Sequence, residues 1–223
     1  MYELISNLIL YGNLPEDEIL VQLAKLLSDE EKLWKQLQEK VKSYKEMGFS
    51  AIWLPPAYKG VGGINDNGYG VYDLYDLGEF NQKGSIETKY GTKVDYLACI
   101  QAFQKAGIDV YGDIVLNHKM GADGTEIVNA KEVNRQNTNE IISGNEQIKV
   151  YTLFTFPGRN KKYSDFIWHW YHFDGIDYDE KTHHNCHFHH RLLDPNFFDQ
   201  KGKWYYDGSF HHNQSHQNDT NAK

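Results

Sequence analysis

The chain has 223 residues, room for one sizeable domain or two small ones. Its 40% hydrophobic and 24% charged residues describe a globular protein and exclude a disordered one. Lys+Arg 23 against Asp+Glu 31 leaves a net charge of −8 with no long basic run, which excludes a nucleic-acid partner, because phosphate binding needs clustered cations. No stretch approaches the roughly 20 apolar residues that span a bilayer, so no membrane partner is expected. The opening MYELISNLILYGN has neither the charged start nor the long apolar run of a secretory signal, and the expected location is cytoplasmic. Cys99 and Cys186 form no disulfide or metal pattern.

Residues 4–11, LISNLILY, predict a first strand, its extended part at about 5–11. A helix is predicted over 28–48: Ser28 and Glu31 make a capping box, Trp34, Leu37, Val41 and Tyr44 recur at helical spacing, and Gly48 closes it. FSAIWL (49–54) predicts a short buried strand stopped by Pro55 and Pro56. Residues 57–92 form a Gly- and Tyr-rich loop. A second helix is predicted over 93–106, with Thr92 as cap, Gly107 as stop and Leu97, Ile100 and Phe103 on one face. IDVYGDIVLN (108–117) is the strand that follows, with its extended part at about 109–116.

Helix, glycine and apolar strand thus occur twice in succession, which predicts a parallel β/α architecture. Such folds present ligands at the C-terminal ends of their strands. DIVLNH (113–118) lies at that edge and carries Asp113, Asn117 and His118, groups able to hold sugar hydroxyls, protons or a metal. From about 118 the periodicity fades into short strands and loops. From 183 to 223 the chain is rich in His, Asn and Gln, with little regular pattern. The cluster HHNCHFHH (183–190) is too crowded for one tetrahedral metal sphere, and adventitious metal binding is the expected behaviour.

Four segments, GFSAIWLPPAYKG (48–60), NGYGVYDLYDLGEFNQKGSIETKYGTK (67–93), DVYGDIVLNHKMGAD (109–123) and SDFIWHWYHFDGIDYDE (164–180), resemble in this order the α-amylases, barrel glycoside hydrolases acting on α-1,4-glucans. The similarity is to the bacterial liquefying and cytoplasmic types, and ISGNEQIKV and FTFPGR extend it over nearly all of 48–180. The resemblance implies an α/β fold: the first three β/α units of a (β/α)8 barrel over 1–118, the start of an inserted, mainly β domain over 119–182, and an atypical tail over 183–223. It implies that His118 hydrogen-bonds the sugar at the cleavage subsite and that Tyr69 stacks on the same sugar. Asp113 would support the site from below, orienting an arginine beside the nucleophile. Asn117 and Asp174 would give oxygens to a calcium ion, the implied cofactor. An aromatic ring covers the apolar face of a pyranose, and carboxylate, amide and imidazole groups bind its hydroxyls. For Trp168 and Trp170 packing is the expected role.

The resemblance departs from the family at the N-terminal strand and ends near residue 182. Retaining hydrolysis needs a nucleophilic carboxylate and a carboxylic acid roughly 5–5.5 Å apart. The family places these after its fourth and fifth strands, and no segment here matches either. The expectation is therefore an α-amylase by family, hydrolysing α-1,4 bonds of starch- or glycogen-type glucans by retention, in a chain that lacks both catalytic carboxylates. The alternative is a non-catalytic α-glucan-binding remnant, and a third possibility is a His-rich metal-binding protein.

Overall fold

The computed structural model describes residues 20–22 and 32–189, and these fall into two compact units, one of the described residues up to 121 with 157–164 and one of 122–156 with 165–189. The first unit holds a parallel sheet of β1 (Leu20–Gln22), β2 (Ala51–Leu54) and β5 (Asp109–Gly112), with β2 in the middle. Leu20 pairs with Ala51, and Ala51 in turn with Asp109. The strand expected at 5–11, like the capping pair Ser28 and Glu31, lies outside the described residues.

Helix α1 (Leu33–Glu46) buries Leu33, Trp34, Leu37 and Val41, the face that a 3.6-residue period predicts. Gly48, at φ 89°, turns the chain into β2 in the left-handed conformation that glycine adopts without strain. Helix α2 (Lys93–Lys105) begins on the expected cap: the Thr92 side chain accepts from Asp95 N–H and Asp95 accepts in return from Thr92 N–H. The two helices and β2 close a core of Trp34, Leu37, Leu54, Tyr90, Cys99, Phe103 and Ile108. Leu97, expected on the buried face of α2, is 44% exposed; Cys99 takes the inward position beside Phe103.

Two further expectations for this unit are corrected. The strand predicted through 116 ends at Gly112, and Ile114 and Leu116 are 64% and 78% exposed. Among the described residues β5 is an edge of its sheet, so nothing beyond it extends the ladder or covers these side chains. The loop over 57–92 contains an antiparallel ribbon, β3 (Lys59–Gly60) with β4 (Val71–Asp73).

The second unit is an antiparallel sheet of β6 (Gly124–Asn134), β7 (Asn137–Ile141), β8 (Glu146–Leu153), β9 (Gly175–Asp179) and β10 (His184–His189). Long β6 pairs with β8, β10 and β7 along its length. Val128, Ala130, Ile148, Val150 and Phe188 form its core, with Trp170 and Ile176 packed against them. The domain limits read from the sequence shift accordingly. Among the described residues, the start of the expected tail is strand β10, which pairs with β9 and β6 and buries Phe188. The stretch 119–182 is not one piece either: 119–121 and Pro157–Ser164 belong to the first unit. Arg159 explains the second return, since its buried guanidinium donates to Asp73 Oδ2 at 2.8 Å.

Candidate functional site

Three of the five residues singled out in the sequence interlock at the C-terminal edge of the parallel sheet. Asp113 follows β5 directly, and its N–H donates to Leu54 O at 3.0 Å, which holds it beside the end of β2. Its Oδ2 accepts from the Tyr69 hydroxyl at 2.9 Å. His118 Nε2 meets the Tyr69 carbonyl oxygen at 2.8 Å. A carbonyl only accepts, so Nε2 is the donor in this contact. Tyr69, 39% exposed, is thus held at its hydroxyl and at its backbone carbonyl. Burial, then the bond to Asp113 and that carboxylate's charge, raise the Tyr69 pKa, so the phenol stays protonated as a donor.

The loop carrying Tyr69 is shaped by a residue that the sequence reading leaves out. Asp66 accepts from Gly62, Gly68 and Gly70 N–H at 3.0, 2.8 and 3.2 Å, folding NDNGYG around one carboxylate. Gly68 sits at φ 94°, where an added Cβ would come within 2.5 Å of Pro56 Cβ. Only glycine fits there. The Asp-x-Gly spacing, a turn-forming pattern, is the signal that could have found Asp66.

Below the ribbon lies a buried ionic network, also missed. Lys59 is fully buried, and its Nζ donates to the carbonyls of Ser85 at 2.8 Å and Ile86 at 2.7 Å, with Asp76 Oδ2 at 3.7 Å. Burial pulls its pKa down while Asp76 opposes that, and a shell made of acceptors keeps the group an ammonium. Gln82 bridges Asp73 and Asp76 at 3.0 Å each. YKG, YDLYD and FPGR supply these charges, but sequence alone shows no pairing between groups as distant as Asp73 and Arg159.

The remaining two predicted residues are placed differently. Asn117 is exposed one residue before His118, and Asp174 is exposed in the second unit. Among the described residues, no group of three or more His, Cys, Asp or Glu is arranged to hold a metal ion. A calcium shell takes 6–8 oxygens, so the described donors do not complete one.

The family profile for the α-amylase catalytic domain matches residues 30–221, most of the chain. The chain belongs to the α-amylase family. This glycoside hydrolase family builds on the β/α (TIM) barrel, which accounts for the parallel strands of the first unit. The match runs past residue 182, where the sequence reading ends the resemblance. Over 154 residues the chain is 56% identical to the α-amylase of Geobacillus stearothermophilus, covering 69% of this chain and 28% of that one. It is 56% identical over 147 residues to the α-amylase of Bacillus licheniformis, covering 66% and 28%, and 46% identical over 149 residues to the cytoplasmic α-amylase of Escherichia coli, covering 67% and 30%. The α-amylase-family chain therefore spans less than a third of these relatives. Among solved structures, alternansucrase in complex with isomaltotriose matches with a TM-score of 0.52 at 26% identity, over 59% of this chain and 12% of that one. No helix among the described residues is long and apolar enough to cross a membrane.

Proposed function

We propose that the chain is the glucan-holding N-terminal portion of an α-amylase: the first three β/α units of the barrel with the beginning of an inserted β domain. The observation that carries this is the Tyr69–Asp113–His118 interlock at the C-terminal strand edge of an α-amylase-family chain. Tyr69 covers the apolar face of a glucose ring, its tilt fixed by Asp113 and His118. His118 Nδ1 accepts from a sugar hydroxyl, and the second oxygen of Asp113 is the support of the site from below. By the family resemblance, Asn117 and Asp174 are each a residue able to offer an oxygen to calcium. The reaction served is retaining hydrolysis of α-1,4-glucosidic bonds in starch- or glycogen-type glucans, in a cytoplasmic setting like that named for the Escherichia coli relative.

Holding substrate and transition state equally well does not speed bond cleavage. Cleavage needs one carboxyl group to protonate the leaving oxygen and another to capture the anomeric carbon. Asp113 is committed to Tyr69, and these 223 residues offer no match to the family's pair, so the chain binds glucan and does not turn it over by itself. Calorimetric titration with maltohexaose is expected to show binding that His118→Ala weakens, while reducing-sugar release from starch stays at background. Joining a complete family continuation after residue 182 is expected to bring hydrolysis, which His118→Ala then lowers sharply. Starch hydrolysis by the unextended chain, lost in Asp113→Asn, would sink these role assignments.

A further inference from the structure

Between Asp113 and Met120 the chain leaves the regular ladder. Asp113 N–H donates to Leu54 O at 3.0 Å, and Met120 N–H donates to Val71 O at 2.7 Å, where the chain rejoins the ribbon. Packing of large side chains does not hold the span between them, since Ile114 and Leu116 face outward. Midway, Val115 N–H donates to the hydroxyl of Tyr58 at 2.8 Å. Tyr58 is 4% exposed and lies in a run of buried residues, with Ala57 before it and Lys59, clamped by carbonyls, after it. It is therefore a rigid acceptor placed where a neighbouring strand would otherwise supply a carbonyl.

We infer that Tyr58 is a positioning residue of the glucan site, fixing the 113–118 span so that Asp113 and His118 both reach Tyr69. Loss of the Val115 bond would free the middle of a span whose two ends make the site's contacts. The residue acts through the backbone and does not touch the sugar. Burial, offset in part by the Val115 N–H and reinforced by the charge of Asp113, pushes its pKa up to about 12, so the hydroxyl is neutral under ordinary conditions. The role in binding rests on the function proposed above; the backbone restraint does not.

Amide hydrogen exchange, His118 ring resonances and maltohexaose titration of the 223-residue chain test it, comparing wild type with Tyr58→Phe. Removing one hydrogen bond is expected to speed Val115 exchange about tenfold and weaken maltohexaose about fivefold. His118 resonances shift, while Asp113 N–H, held by Leu54, keeps its rate. An unchanged Val115 rate overturns the inference, and so does a faster rate with unaltered His118 resonances and affinity. A wild-type chain that binds no maltohexaose defeats the glucan reading alone; Val115 exchange and the His118 signal then still decide the restraint. Where Tyr58→Phe fails to fold, an ester oxygen in place of Val115 N–H removes the same bond with both side chains intact. The same His118 shift and loss of affinity are expected, and wild-type values for both overturn the inference.

Discussion

Tyr69 ties the three residues together: its hydroxyl donates to Asp113 and its carbonyl oxygen meets His118 Nε2, and in the proposed function its ring is the platform. Substitutions should separate these duties. Tyr69→Phe keeps the platform and should weaken maltohexaose about threefold, through loss of the Asp113 bond. Tyr69→Ala removes the ring as well and should cost about tenfold or more, measured by the same titration. Equal effects from both would mean that the ring contributes nothing. Family-like motifs bracket Tyr69, Asp113 and His118 and single them out in the sequence, and the structure brings the three into contact. Asp66 was not singled out, because its partners are backbone N–H groups that become neighbours only once the loop closes.

At the scale of elements, the segment Pro157–Ser164 is fastened to the first unit at two points. One is buried Arg159 on Asp73; the other is Glu79, which accepts from Lys162, from Lys93 at 2.8 Å and from the Tyr163 hydroxyl at 2.7 Å. The hydrogen bonds from Lys162, Lys93 and Tyr163 lower the Glu79 pKa from 4.5 to about 2. A carboxylate whose folded pKa is depressed stabilises the fold fully above its unfolded value and loses that contribution as pH falls through the folded one. Protection of the 157–164 amides, corrected for their intrinsic exchange rates, should therefore fall between about pH 4.5 and 2. Glu79→Gln should exchange faster at neutral pH and lose that step; a step unaltered in Glu79→Gln would assign it to another group. The strand expected through 116 failed for a related reason. Apolar residues predict a strand, but a ladder needs a partner, and among the described residues β5 pairs with β2 alone.

For the whole molecule, stability rests on buried charge as well as on the two apolar cores. Arg159→Met leaves Asp73 without its guanidinium, and Lys59→Met leaves Asp76 without its ammonium. Breaking one side of a buried pair costs about 3–5 kcal/mol, read as a lower denaturant midpoint, and a loss below about 1 kcal/mol would show the pair to be dispensable. The exposed sheet edge predicts a second property. With Ile114 and Leu116 outward beside β5, the chain should self-associate. Leu116→Lys should raise the monomer fraction in size-exclusion chromatography; an identical profile would place the association elsewhere.

The parallel β/α order, both helix stops at glycine and the Thr92 cap are local facts, set by periodicity, turn chemistry and short motifs, and the sequence alone was enough to determine them. The extent of each unit was not local. Pro157–Ser164 joins the first unit because a guanidinium at 159 neutralises a carboxylate at 73, across a separation that no pattern in the chain encodes. His184–His189 becomes a strand because β6 and β9 supply backbone partners and a place to bury Phe188, although the run itself lacks apolar alternation. Pairing and burial are properties of neighbours in space, so only the tertiary structure could decide them.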